Sequence, residues 1–328
     1  MNTDPAVSVI IPVYGVEKYV RRCAETLMNQ TLESVEFIFV DDCSKDRSMD
    51  IVREVVDRFP HREVFFLRHN QNRGLPAARN TGMAIARGEY IYHCDSDDFL
   101  ELTMLEKLWN AAREHDSDVV WCDWFLSFNA NERYMSQIGA ATGREALTLA
   151  LNGSIKYNVW NKLIRRSLYT ENGISFPDGF AMGEDMTIIK LLACASKVFY
   201  VPDALYHYIK VNNGAMTQSY SSHHLESLKH NVADTEHFLM DNVSDEALEK
   251  ELAFFKLNTK LPFLITNNRQ SYVRWNEWFS DANKWIWENS SQPFRTKLIQ
   301  WSASKKLYFI NKLYYSVVIK FIYGVLFR

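Results

Sequence analysis

Over residues 6–105 the chain alternates between short apolar runs and segments with helical spacing. Val7 to Val13 (Val-Ser-Val-Ile-Ile-Pro-Val) is a nearly continuous β-branched run, the pattern of a parallel strand covered on both faces. Tyr14 and Gly15 break it, and between Glu17 and Gln30 the residues Val20, Cys23, Ala24, Leu27 and Met28 mark one face of a helix. A second strand, Glu36 to Val40, stops at Asp41-Asp42 and is followed by a helix from Asp46 to Phe59. A third strand, Val64 to Leu67, leads through Asn72-Arg73-Gly74 to a helix over Pro76 to Ala86. The fourth, Tyr90 to Cys94, runs directly into Asp95-Ser96-Asp97-Asp98. Such alternation predicts right-handed crossovers and an α/β fold with a doubly wound, mostly parallel sheet. Ligands of these sheets bind beyond the carboxyl ends of the strands. Asp41, Asp42, Asp95 and Asp97 all fall at such ends, so the acids are expected to converge on one crevice.

Carboxylates gathered away from water repel one another unless a positive group compensates. A hard divalent cation is the natural partner, because Mg²⁺ takes one or two carboxylates and completes its shell with substrate phosphates. The competing reading is a solvated Asp-rich turn before the helix expected near Thr103. No Gly-x-Gly-x-x-Gly follows the first strand and there is no Walker-type loop, which argues against dinucleotide and P-loop sites.

Taken in order, Ser-Val-Ile-Ile-Pro-Val-Tyr with Glu17, Val-Asp-Asp-Cys-Ser at 40–44, Asn-Arg-Gly-Leu-Pro-Ala-Ala-Arg-Asn at 72–80 and Asp-Ser-Asp-Asp at 95–98 resemble glycosyltransferase family 2. The resemblance is close over residues 6–105 and looser to about residue 210. It implies a GT-A fold and, for most members, inversion at the sugar's anomeric carbon. One departure is Gly15, where the family often has Asn. The resemblance places Pro12, Tyr14 and Glu17 along a nucleotide pocket and gives Asp41 the hydrogen bonds of the base. Asp95 would sit near the ribose and the metal, and Asp97 would hold a Mn²⁺ or Mg²⁺ ion on the donor's diphosphate. Arg79 could meet phosphate oxygens with its planar fork, or be an ordinary salt-bridge arginine.

Farther along, Glu184-Asp185 precedes a short apolar helical stretch, Met186 to Ala195. Relatives place their general base at such a pair, which implies Asp185 as base with Glu184 orienting it or the acceptor. A carboxylate at a helix start is kept ionised by the dipole, although the same pair could serve only as a cap. Val159-Trp160-Asn161-Lys162-Leu163 also resembles a segment of bacterial members, with Trp160 to stack on a sugar, or equally to be core, and Lys162 to meet a phosphate or acceptor group. His207 lies where some relatives draw a third metal ligand, and packing between its aromatic neighbours is the alternative role.

Composition adds limits. Five scattered cysteines without paired spacing argue for reduced thiols in the cytoplasm, against a disulfide framework or a zinc site. The beginning of the chain has no basic region ahead of Val7, so that run reads as a strand and not as a secretion signal. From Asn289 onward there are seven Lys or Arg and no acid; since the whole chain carries −3, residues 1–288 carry −10. Residues 307–328 are long enough for a bilayer-spanning helix, but Lys312 and Lys320 would each cost about 2.5–3.5 kcal/mol near the centre. A helix lying flat at a membrane interface suits this composition better, with docking on the catalytic domain or on a second subunit as the alternative.

The expected organisation is a GT-A domain over 1–215 (nucleotide-sugar half 1–105, acceptor and base half 106–215), a helical extension over 216–290 and a basic aromatic tail over 291–328. The expected partners are a nucleotide-sugar donor, UDP by family habit, a saccharide or polyprenyl-diphosphate-linked acceptor, and the inner face of the cytoplasmic membrane. The oligomeric state is open. A negative body with its basic excess confined to the tail speaks against nucleic-acid binding. A sugar-nucleotide binding protein without catalysis, or a membrane-associated scaffold, are the alternatives to an enzyme.

Overall fold

The computed structural model describes residues 4–128, 131–180, 183–210 and 222–326, with side chains at all of these except 184, 185, 222, 223 and 321–326. The chain divides into two compact units, one of Met1–Leu147 with Tyr157–Asn242 and one of Thr148–Lys156 with Val243–Arg328.

The first unit is built on one sheet. Its strands are β1 (Val7–Val13), β2 (Val35–Asp41), β3 (Glu63–Arg68), β4 (Tyr90–His93), β5 (Phe99–Leu100), β6 (Val119–Ser127), β7 (Glu132–Met135), β8 (Lys162–Arg165) and β9 (Val198–Ile209). The spatial order is β3-β2-β1-β4-β8-β6-β9-β5, with β7 beside β6. The first four strands form the expected parallel half, wound by α1 (Val20–Met28), α2 (Ser48–Val56) and α3 (Leu75–Met83). Most helix ends lie a few residues inside the expected limits, as is usual where terminal turns fray, whereas α3 begins at Leu75, one residue ahead of the expected Pro76.

Beyond β4 the sheet becomes mixed. β8 runs antiparallel to both β4 and β6, whereas β6 and β9 run parallel. The parallel character expected from the strand–helix rhythm is therefore confined to the half in which that rhythm is regular. α4 (Met104–Glu114), the first residues of α5 (Gly143–Leu151), α6 (Arg166–Glu171), α7 (Glu184–Cys194) and α8 (Ser222–Asn242) complete this region.

Alternation within β1 sets the layers. Val9, Ile11 and Val13 face a core shared with Val20, Cys23 and Leu27 of α1, Val52 and Val55 of α2 and Leu105 and Leu108 of α4. Ile10 faces the other way onto α3, where a Cβ on Gly82 would stand 2.5 Å from Ile10 Cγ2. Burial on both sides explains why the strand reads as unbroken apolar sequence.

In the second unit, α9 (Leu248–Lys260), α10 (Arg269–Glu277), α11 (Phe294–Ser304) and α12 (Tyr308–Tyr314) are followed by helical turns over Tyr315–Leu326. Lys260 is buried there. Its ammonium donates to Trp278 O, Phe279 O and Asn283 Oδ1 and stands 4.1 Å from the Trp275 ring centre. Asn311 ties α12 to α11 through Ile299 O and Ser302. No helix among the described residues is long and apolar enough to cross a membrane.

Candidate active site

The crevice begins where β4 ends. β1 pairs with β4 only as far as Ile10↔His93, with one further bond from Cys94 N to Ile10 O. Residues 10 and 12 direct their main-chain groups to the same side of β1. Pro12 therefore presents its missing donor to the place where β4 has run out. A proline in a central strand is tolerated because no ladder bond is lost. On the opposite side, Val13 O still accepts from Asp42 N. The exposed Tyr14 and the left-handed Gly15 (φ +67°, with nothing near an added Cβ) lead away from this edge. That backbone region suits Gly and Asn alike, which accounts for the departure at Gly15. Glu17 accepts from Arg47 N, and its own N–H donates to Asp46, so it braces the turn after β2.

Asp41 and Asp42 have separate partners. Asp41 Oδ1 accepts from Ser44 N at 2.7 Å and Oδ2 lies 3.3 Å from Arg68 Nε. Asp42 accepts from Arg73 N and Gly74 N, both at 2.8 Å, and its Oδ1 lies 2.7 Å from His69 Nδ1. His69 reaches on to Thr81 Oγ1 at 2.9 Å. Asp42 thus fixes the loop entering α3, where Gly74 adopts φ 88°, ψ 165°, a conformation open essentially to glycine alone.

α3 carries Arg79 into the interior. The guanidinium is 2% exposed, donates from Nη2 to Asp95 Oδ1 at 2.7 Å and lies 5.5 Å from the Phe176 ring centre. Its Nε and Nη1 have no hydrogen-bond partner. Beside it, His93 is buried against Tyr169 and Phe176 with both ring nitrogens unpartnered. Burial first, and then the Arg79 charge, push the His93 imidazole well below its usual range, so it is neutral.

Asp95 and Asp97 are half-buried, whereas Asp98 is buried and accepts from Tyr206 Oη and Ile209 N, both at 2.7 Å. Burial, together with the charges of Asp97 and Asp95, drives the Asp98 carboxyl well above the ordinary range. Cys94 Sγ lies 3.8 Å from Cys23 Sγ in the core beneath.

The second half contributes differently from expectation. Trp160 is buried, stacked on Tyr206 (centroids 4.4 Å apart) and edge-on to Trp124. Through Tyr206 it buttresses Asp98, and its ring is not laid open for a sugar. Lys162 is an interior cation, 1% exposed, donating to Asn158 O and Asn161 Oδ1. The His207 ring lies between Phe99 and Phe125, with Nδ1 2.8 Å from Glu132 and Nε2 2.9 Å from Glu101. Both nitrogens are engaged by carboxylates, whereas a metal ligand needs one of them. Glu184 and Asp185 open α7 after Gly183, and their side chains lie outside the described residues.

A divalent ion would thus meet Asp95 and Asp97. Among the described residues no group of three or more His, Cys, Asp or Glu side chains is spaced to hold an ion alone. Two carboxylates are nevertheless what a cation shared with a diphosphate requires.

A model described as Glycosyl transferase family 2 matches residues 8–187, more than half of the chain. The chain belongs to glycosyltransferase family 2. This family 2 chain is 31% identical over 293 residues to EpsH of Bacillus subtilis (strain 168), named as a glycosyltransferase, covering 87% of this chain and 80% of that one. Among solved structures it is similar to S. aureus TarS 1-349 in complex with UDP-GlcNAc, with TM-score 0.70, 22% identity, and coverage of 94% and 91%. It also resembles the mannosyltransferase PcManGT from Pyrobaculum calidifontis in complex with GDP-Man and Mn²⁺, with TM-score 0.54, 14% identity, and coverage of 96% and 84%. These likenesses, with the mixed sheet, establish a GT-A-type α/β fold and a family 2 glycosyltransferase.

Sequence reasoning missed His69, His93 and Tyr206. Each stands in an ordinary-looking strand or loop, and only packing reveals what it touches. Arg79 was visible as a motif residue, but its burial against Asp95 was not.

Proposed function

We propose that this family 2 enzyme moves a sugar from a nucleoside-diphosphate sugar, of the UDP class, to a saccharide or polyprenyl-diphosphate-linked acceptor, with inversion and with Mn²⁺ or Mg²⁺, in building a surface polysaccharide. The observation that carries the reading is the rim itself. Asp41, Tyr14 and the Asp95–Asp97 pair leave three adjacent parallel strands where the pairing of β4 with β1 ends. UDP-GlcNAc in the TarS complex and Mn²⁺ in the PcManGT complex support the donor class and the cation.

In this reading Asp41 and Tyr14 receive the nucleotide, and Arg79 positions Asp95 instead of touching phosphate. A bound cation would offset the charge that grows on the departing diphosphate. The acceptor oxygen forms its bond to the anomeric carbon on the face opposite the diphosphate, the carbon–oxygen bond to the diphosphate breaks, and the hydroxyl proton passes to Asp185. A carboxylate in the first turn of a helix is favoured in its ionised form by the dipole, which supports Asp185, at the start of α7, in that role.

A thermal-shift panel of nucleotide sugars with and without Mn²⁺ is expected to single out one donor whose stabilisation needs the metal. Asp185→Asn is expected to bind that donor like wild type by calorimetry while turnover falls by at least ~10²-fold, in the range of general-base loss. Near-normal turnover in Asp185→Asn would reject the assignment of the base.

The tail supports work at an anionic membrane surface. Phe309, Leu313 and Val317, at helical spacing, are exposed beside the exposed cations Lys305, Lys306, Lys312 and Lys320.

A further inference from the structure

A second cleft, of about 380 Å³, opens in the first unit between α7, α8 and the segment 173–180. Its size lies at the low end of the range for small-molecule sites, about 300–1,000 Å³. We infer that this cleft is a docking site for a neutral sugar ring; its assignment to the acceptor rests on the reading proposed above.

Charge argues for a neutral ligand. The charged side chains described along the wall are matched, Lys190 with Asp234 and Asp178 with Arg73 at 2.9 Å. Among the described residues the wall therefore shows no surplus lysine or arginine to attract a phosphate. It does offer an ion pair whose two ends can accept from and donate to vicinal hydroxyls, and hydrogen bonds to charged groups are the stronger kind. Asp234 is half exposed, so its carboxylate can be shared with a ligand.

Aromatic surface supplies the second element of recognition. Phe180, 37% exposed, stacks on the exposed His230 ring with centroids 3.8 Å apart. Exposed paired rings on a cleft wall leave an apolar face uncovered. The electron-rich face of such a ring attracts the slightly positive C–H edge of a pyranose. An apolar platform beside a matched ion pair fits a molecule that is hydroxylated at its rim and C–H-rich on its face.

Location ties the cleft to the reaction. Gly183, Met186 and Thr187 line it, so it abuts the turn that bears Glu184 and Asp185. A Cβ on Gly183 would stand 2.3 Å from Asn231 Nδ2, which shows how closely α8 backs that turn. The cleft is also braced from the donor side. Asn80, next to Arg79 on α3, donates to Phe176 O and accepts from Phe176 N, both at 2.9 Å.

Saturation-transfer NMR on the full chain tests the inference, with methyl glycosides of glucose, galactose and N-acetylglucosamine as probes and UDP–Mn²⁺ titrated in parallel by calorimetry. Transfer to the ring C–H protons of at least one glycoside is expected in wild type. Phe180→Ala should weaken its binding about two- to tenfold, the equivalent of a lost ring stack, and Phe180→Tyr should restore it. The UDP titration should be the same in all three proteins. The inference is overturned if no glycoside shows transfer to wild type, or if Phe180→Ala binds as well as wild type. Glycoside binding that depends on Phe180, in a protein that fails to bind UDP–Mn²⁺, would uphold the sugar site and sink the donor reading.

Discussion

Asp95 and Asp97 stand two residues apart on the same rim, and the function proposed above gives them different duties. Asp95 is the hydrogen-bond partner of the buried Arg79 guanidinium. Taking away one member of such a pair strands the other charge, typically at about 3–5 kcal/mol. Asp95→Ala is therefore expected to lower stability by about that amount in urea denaturation. Asp97→Asn, which keeps the side chain's size and leaves the Arg79–Asp95 pair intact, should lower the midpoint less than Asp95→Ala while abolishing the metal dependence of nucleotide binding. A melting profile that ranks the two variants the other way would contradict these roles. His93 gives a pH signature. Its folded-state pKa lies well below the usual 6.5, so between these values the unfolded chain binds more protons. Stability is then complete above pH 6.5 and declines as pH falls toward the folded pKa, with a slope of at most about 1.4 kcal/mol per pH unit. His93→Leu should remove that component and, by deleting two unpartnered nitrogens, stabilise the protein at acid pH. Urea midpoints between pH 4 and 7 provide the check, and parallel curves for the two proteins would refute it.

At the scale of elements, legibility followed burial and direction. β1, β2 and β4 were readable because largely apolar runs that stop at Tyr14-Gly15 or at Asp leave little choice of structure or of which end faces the crevice. α3 was readable from Gly74-Leu75-Pro76, a turn followed by proline in the first helical turn. β8 was not. Lys162–Arg165 has two apolar residues between cations, and nothing in such a pattern encodes that it runs against β4. The same strand hid the interior position of Lys162, since lysine is almost never fully buried unless its head group is satisfied. Trp160 and His207 were visible as aromatic or titratable residues, but their neighbours come from β5, β6, β7 and β9, distant in sequence. The loop before α3 yields its own prediction. Gly74→Ala forces a side chain into a glycine-only conformation, at about 1–3 kcal/mol. Because Asp42 grips the Gly74 N–H, UDP affinity should fall with stability; an unchanged urea midpoint would show that the turn is more forgiving than drawn.

Across the whole molecule, the separation of charge between body and tail makes the clearest statement. Net charge sets which surfaces a protein approaches and says little about its fold. Removing the chain after Asn289 would delete Ile299 and Ala303, buried residues of α11 within the second unit, so truncation confounds binding with unfolding. Substitutions at exposed positions avoid this. Lys312→Glu is expected to weaken sedimentation with phosphatidylglycerol vesicles about fivefold or more, from about 1 kcal/mol for each cation near the surface. Phe309→Ser, at a residue 69% exposed, should weaken it further without shifting the melting temperature. Equal sedimentation of all three proteins would dismiss the tail as an anchor.

The reversal of β8 has a further consequence. Parallel strands deliver residues to the rim as the chain leaves the sheet, but the antiparallel strand delivers Trp160 as the chain is about to enter it. Lengthening or reshaping the segment ahead of Lys162 would extend that side of the rim while the register of β1, β2 and β4 stayed as it is.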